Sequence, residues 1–94
     1  MRKYELMFII RTDIEQEVVD ATVEKFLNIV RNGGEIVKQD APSKRRLAYE
    51  IDKHRDGFYV LVNFNAPAEV VSELDRVLKI SDEVIRHLIV KDVA

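Results

Sequence analysis

Apolar and polar residues recur along this 94-residue chain with two different periods, one typical of strands and one typical of helices. Residues 4–10 form a short apolar run bounded by charged residues, which is too short for a capped helix and predicts a strand. Its residues divide between two faces of a sheet, with Tyr4, Leu6, Phe8 and Ile10 on one and Met7 and Ile9 on the other. Because both faces carry apolar side chains, we expect this strand to be central in its sheet.

Two later stretches carry apolar residues at helical spacing. The first follows Thr12 and Asp13, each of which fits the spacing of a capping box, and it ends at residues 32–34, where glycine can adopt a left-handed cap. The second begins at Pro67, in the first helical turn, and ends at Ser81. We expect the core between helices and sheet to consist of Leu6, Phe8, Phe26, Val30, Val60, Val62, Leu74 and Leu78.

Three further strands are predicted. The second begins at residues 35–39, is interrupted at residues 40–43, where Pro42 favours a sheet edge, and continues to Ile51. The third covers residues 58–65 and the fourth residues 84–90. Because a buried arginine costs more than a half-buried neutral histidine, the fourth strand is predicted to direct Ile85, His87 and Ile89 inward and Arg86, Leu88 and Val90 outward.

The order strand, helix, strand, strand, helix, strand predicts one α+β domain over residues 1–94 with the ferredoxin-like split βαβ fold. Right-handed crossovers place both helices on one face of a four-stranded antiparallel sheet. The strands then lie in the order fourth, first, third, second, so the second and fourth are edges.

Composition narrows the classes of function. The net charge of −2 gives no overall attraction to nucleic acid, so binding would depend on where the cations lie. The absence of cysteine excludes disulfides and thiolate sites. With neither a signal-peptide core after Met1 nor an apolar stretch of transmembrane length, we expect a cytoplasmic protein.

The cations concentrate on strands and strand ends, whereas the acids concentrate on the helices. This distribution predicts a basic sheet side that binds RNA phosphates. Arg2 and Lys3 are expected to extend, from a neighbouring position, the positive surface around Arg45. The candidate RNA-binding residues are Arg2, Lys3, Arg45, Arg46, Lys53, His54, Arg55, Arg86 and Lys91. Two alternatives remain open: Arg45 and Arg46 could only protect an edge strand from pairing with another copy, and His54 could be merely solvated.

The sheet face without helices is predicted to be apolar, which is typical of a surface for a partner protein. On this face the third strand presents one aromatic residue, Tyr59. We interpret Tyr59 as an anchor for a protein interface rather than as a platform for base stacking. The candidate partner-interface residues, which include the adjoining edge strand, are Met7, Ile9, Leu47, Tyr49, Tyr59, Leu61 and Leu88.

The sequence contains no pattern typical of an active site, a metal site or a cofactor site. The loop after the first strand contains Asp13 and no glycine, so it would repel a phosphate, and no nucleophile and base stand together. His54 and His87 lack neighbours at metal-ligand spacing. We therefore expect neither an enzyme nor a bound cofactor.

Four groups of residues resemble bacterial small-subunit ribosomal protein number six over essentially the whole chain. They are residues 1–5 (MRKYE), residues 45–49 (RRLAY) with Ile51 and Lys53, Ala66 with Pro67, and residues 82–86 (DEVIR). The resemblance implies the ferredoxin-like fold and binding to the central domain of 16S ribosomal RNA together with ribosomal protein number eighteen. A protein-interaction or ligand-sensing module on the same fold is the alternative.

Overall fold

The computed structural model describes residues 2–51 and 53–91; Met1 of the MRKYE group and Asp52, which precedes Lys53, lie outside these ranges. The elements are β1 (Arg2–Ile10), α1 (Gln16–Gly33), β2 (Glu35–Gln39), β3 (Ser43–Ile51), β4 (His54–Ala66), α2 (Ala68–Ile80) and β5 (Val84–Lys91). The predicted fold class and strand order are confirmed, except that the interrupted edge strand forms two separate strands. The antiparallel sheet accordingly has five strands.

Both strands of this divided edge, β2 and β3, pair with the same strand, β4. Its first half pairs with β3, from Arg46↔Asp56 to Ser43↔Tyr59, and its second half pairs with β2. Between the two, the Asp40 N–H still donates to the carbonyl of Leu61 at 2.9 Å. Pro42 has no N–H to donate, so the ladder breaks there. On the other side of β4, β1 lies between β4 and β5.

The core lies between the helices and one face of the sheet. All eight predicted core residues are at most 1% exposed. The rings of Phe8 and Phe26 meet edge to face at 5.2 Å, which joins β1 directly to α1. Their burial confirms the alternation predicted for β1 and the helical stripes.

The end of α1 at Gly33 agrees with the prediction, but both predicted caps are wrong. Glu15 is the N-cap and makes no side-chain cap bond. The Thr12 hydroxyl donates instead to Asp56 at 2.8 Å, and Asp13 accepts two hydrogen bonds from Arg11 at 2.6 and 2.8 Å. Bonds to charged partners are stronger than a neutral cap bond, so these side chains are drawn away from the helix end.

Gly34, at the other end of α1, has an extended backbone with φ −150° rather than a left-handed one. A Cβ there would lie 2.3 Å from the carbonyl oxygen of Asn65, so glycine permits a close approach to β4. Within the described ranges, Lys53 alone has a left-handed backbone, with φ 68°, in the turn from β3 to β4.

The inward placement of His87 and Ile89 on β5 is confirmed. His87 Nε2 lies 2.8 Å from the Asp75 carboxylate of α2, and Ile89 packs against the core. The inward placement of Ile85 is wrong, because the pairing register of β1 with β5 shifts between Ile9 and Ile10. The Cδ1 of Ile85 lies 3.6 Å from the position a Cβ of Gly57 would take, beside Ile9. A bulge of this kind turns a side chain to the other face.

Candidate nucleic-acid and partner interface

Four exposed cations cluster along the β3–β4 hairpin, and we call them the hairpin cations. They line one shallow groove together with Asp56, and they are Lys44, Arg45, Arg46 and Arg55. Two of them lie near the outer limit of an ion pair with an acid, since Lys44–Asp56 and Arg55–Glu50 are both separated by 3.9 Å. The Arg55 side chain is 80% exposed. The groove thus presents positive charge to solvent on a paired strand.

Adjacent arginines of β3 point to opposite faces of the sheet. Arg45 pairs with Gly57 and its guanidinium carbon lies 5.6 Å from the ring centre of Tyr59, on the face without helices. Arg46 pairs with Asp56, one position along and on the other face. The two side chains therefore leave the edge of the hairpin on opposite faces and do not point in the same direction.

Three other predicted RNA-binding residues lie at the far end of the sheet, and we call Arg2, Lys3 and Lys91 the terminal cations. Arg2 pairs with Ala66, the last residue of β4, and Lys91 pairs with Tyr4, near the start of β1. From Gly57 to Ala66, β4 extends about 30 Å. The expectation that Arg2 and Lys3 adjoin the hairpin cations is therefore wrong, because β1 and β4 run in opposite directions.

Of the remaining predicted RNA-binding residues, Lys53 lies in the hairpin turn and His54 begins β4, next to Arg55. Arg86 lies on β5, opposite Ile9. Its Nη1 donates a hydrogen bond to the Tyr49 hydroxyl at 2.7 Å, and its guanidinium carbon is 5.9 Å from the Tyr49 ring centre. The structure thus brings Arg86 to a residue predicted for the partner interface.

The sheet face without helices, which we call the open face, carries an apolar row across three strands. Cross-strand pairing places Leu88, Met7 and Leu61 side by side, and Leu88 is 54% exposed. A depression next to this row is lined by Met7, Tyr59, Leu61 and Arg45, with Asp40 on its rim. Val90, exposed beside Glu5, extends the apolar surface and was not among the predicted interface residues.

Two predicted interface residues are not available on the surface. Ile9 is 2% exposed and Leu47 is 8% exposed. The backbone of β4 lies close over Ile9, since a Cβ on Gly57 would be 2.2 Å from its Cγ2. Residue spacing could not predict this burial, because it does not show that the hairpin covers that end of the open face.

The helical side carries carboxylates that remain ionised at neutral pH. Nε of Arg76 donates to Glu73 at 3.1 Å, and this hydrogen bond lowers the pKa of the carboxylate below its ordinary value. On α2, hydrogen bonds from His87 and then Lys79 lower the pKa of Asp75 in the same way. Each of these acids is paired with a cation of the same helix, so the predicted acidity of the helical side stays a prediction.

Comparison with known proteins identifies the family. The model of the Ribosomal protein S6 family matches residues 3–91. The chain belongs to this family. It is 50% identical to small ribosomal subunit protein bS6 of Moorella thermoacetica over 97% of this chain and 94% of that protein. It superposes on the crystal structure of 30S ribosomal protein S6 from Thermotoga maritima with a TM-score of 0.91 and 30% identity, covering 97% of this chain and 87% of the other.

Family membership establishes a structural protein of the small ribosomal subunit and not an enzyme, as the sequence indicated. A bacterial ribosomal protein of this subunit resides in the cytoplasm and associates with ribosomal RNA as part of the ribosome. Neither of the two described helices has the length and apolar composition needed to cross a membrane.

Proposed function

We propose that the protein binds the central domain of 16S ribosomal RNA together with ribosomal protein eighteen of the small subunit. The hairpin cations contact RNA phosphates, and the open face binds the partner protein. The observation that carries this proposal is the position of an exposed cation cluster beside an exposed apolar sheet face. The identity of the RNA domain and of the partner comes from the family resemblance.

The hairpin cations are suited to phosphates by chemistry and by placement. Three of the four residues are in β3, and two of those are arginines, whose planar guanidinium can grip a phosphate through two hydrogen bonds. Their nearest carboxylates are at the outer limit of an ion pair, so little competes with an incoming phosphate. Fixed positions on a strand lower the entropy lost on binding compared with a flexible basic tail.

The open face is suited to a protein. Leu88, Met7 and Leu61 form an apolar row on a sheet that no helix covers on that side. Tyr59 adds an aromatic residue of the type that dominates binding energy at interfaces, and its ring is held by Arg45. Arg45 consequently lies where the proposed RNA and protein surfaces meet.

A composite surface also accounts for the charge. With a net charge of −2 and acids on its helices, the protein alone attracts RNA weakly. A bound basic partner brings a second set of phosphate contacts into the neighbourhood of the first, which raises the affinity of both. We therefore expect tight RNA binding by the pair and weak binding by this protein alone.

The test is a mobility-shift salt series on a central-domain RNA fragment, with and without the partner protein. Arg45→Ala plus Arg46→Ala should weaken binding by the pair and lower the salt slope by about one or two charges. The matched control, Arg31→Ala plus Arg76→Ala, removes two exposed arginines from the helical side and should leave the slope unchanged.

Melting temperatures of both double variants should stay close to that of the wild type, since all four side chains are exposed. An unchanged slope and affinity for the Arg45 and Arg46 variant would contradict the proposal. The two arginines would then serve only to protect the edge strand, and the terminal cations would become the candidate RNA contacts.

A further inference from the structure

Arg86 and Tyr49 belong to strands on opposite sides of the sheet, yet their side chains are in contact through a 2.7 Å hydrogen bond. In the sheet, β4 and β1 separate β3 from β5. That separation amounts to three strand spacings, or roughly 14 Å. The two side chains must therefore reach toward one another over the central strands, on the open face where Arg86 lies beside Ile9.

The residues under this contact are buried without help from the helices. Ile9 is 2% exposed, although it lies on the open face, and Gly57 of the hairpin approaches it closely. Leu47 is buried as well, in a part of β3 that has no partner on β4, because the pairing passes from Arg46↔Asp56 directly to Ile51↔His54. The end of the hairpin thus rests on the open face and not only on its own strand ladder.

We propose that Arg86 is a positioning residue that holds the end of the β3–β4 hairpin on the open face through Tyr49, and that it does not itself bind RNA phosphate. Residues 47–50 have no paired residue on β4, so we expect side-chain contacts to contribute to fixing this segment. The hairpin cations lie on either side of it, at positions 44–46 and 55. Holding the segment down fixes the orientation of those cations.

This role differs from the one predicted from the sequence, in which Arg86 binds RNA and Tyr49 binds the partner. The geometry favours positioning because the guanidinium already donates a hydrogen bond to the Tyr49 hydroxyl. Arginine suits this role because its long side chain ends in several rigidly held N–H donors, whereas the single ammonium of lysine has a different shape and reach.

The first test uses the isolated protein and needs no RNA. Hydrogen exchange of the paired amides at residues 45–46 and 54–57 reports opening of the hairpin. Arg86→Ala and Tyr49→Ala should each accelerate exchange there about three- to tenfold, the effect expected for losing one exposed hydrogen bond with its ring contact. The double variant should exchange no faster than either single variant. Tyr49→Phe, which keeps the ring, should be intermediate.

The matched control is Lys91→Ala, which removes a positive charge from the far end of the same strand. It should leave exchange in the hairpin unchanged. Since Arg86, Tyr49 and Lys91 are all exposed, none of these variants is expected to unfold the domain.

The second test rests on the proposed function and follows RNA binding with the partner present. Arg86→Ala and Tyr49→Ala should weaken affinity by similar factors while the salt slope stays at the wild-type value, because no phosphate contact is lost. Arg86→Lys should keep the slope and lose affinity, since charge alone does not restore the contact with Tyr49.

Two results would overturn the inference. One is wild-type hairpin exchange in both alanine variants. The other is a salt slope lowered by about one charge in Arg86→Ala while Tyr49→Ala binds normally, which is the signature of a phosphate ligand. Failure of the wild-type pair to bind RNA would instead count against the proposed function, and the exchange test would still decide whether Arg86 holds the hairpin.

Discussion

The contact between Phe8 and Phe26 shows how single side chains join the layers of this domain. Both rings are essentially inaccessible to solvent, and they meet edge to face between β1 and α1. In a chain of this length, each large buried side chain contributes a substantial part of the total stability.

We therefore expect Phe26→Ala to lower the free energy of unfolding by about 3–5 kcal/mol, because it removes a buried ring and leaves a cavity. Denaturant titration followed by circular dichroism measures this loss. Val18→Ala on the same helix is the control: Val18 is 40% exposed, and its truncation should cost less than about 0.5 kcal/mol. A loss below about 1 kcal/mol for Phe26→Ala would show that the ring does not contribute to the core in solution.

Periodicity predicted these core residues correctly because burial depends mainly on which face of an element a residue occupies. It failed where a side chain chooses between competing partners. The Thr12 hydroxyl donates its hydrogen bond to Asp56, which lies far along the chain, and it does not cap the helix that follows it. Ile85 changes face because of a bulge between β1 and β5. Such choices depend on the assembled sheet, so a local pattern could not reveal them.

At the scale of elements, α2 is tied to the edge strand β5 by a small polar cluster. His87 Nε2 lies 2.8 Å and Lys79 Nζ lies 3.0 Å from the Asp75 carboxylate. The hydrogen bond with His87 is the larger cause, and that with Lys79 the next, of a pKa for Asp75 below its ordinary value of 3.8. The carboxylate form is thus favoured in the folded protein.

A group with a lowered folded-state pKa stabilises the fold above its ordinary pKa, and that contribution disappears as the pH falls through the folded value. Stability from Asp75 should therefore be complete at neutral pH and be lost below about pH 4. Asp75→Asn should cost at most about 1 kcal/mol at pH 7, since the group is partly solvated, and should reduce the acid dependence. Urea titrations across this pH range measure both, and an identical acid dependence in the variant would contradict the assignment.

At the scale of the whole molecule, one face of the sheet is available to a partner and the other is closed by helices. The sequence predicted this division, together with the cations on strands and acids on helices. It did not predict that the cations form two groups roughly 30 Å apart. It also missed the burial of Ile9 on the open face and of Leu47 within the hairpin. Strand direction and the bend of a hairpin are properties of the assembled sheet, which residue spacing does not encode.

Leu61→Asp tests the open face as the surface for the partner. A carboxylate in the apolar row should weaken binding of ribosomal protein eighteen by at least tenfold, because an unpaired charge would be desolvated in the interface. Titration calorimetry with the isolated partner measures the change. Ile80→Asp adds the same charge to an exposed apolar residue of α2 and should bind normally.

The folded fraction of both variants should remain near that of the wild type, as judged by circular dichroism. Normal pairing by Leu61→Asp would mean that the partner binds elsewhere. Unfolding of that variant would instead show that Leu61 belongs to the structural core.

The strand β4 pairs with β1, β2 and β3, so three of the four strand pairings among the described residues depend on one segment of thirteen residues. Without β4 only the pairing of β1 with β5 remains, and a two-stranded ribbon is marginal in water. Apart from the tip of the hairpin, this sheet therefore has no stable half-assembled form. The domain should unfold in one all-or-none step, and a newly made chain gains most of its sheet only after Ala66 has been synthesised.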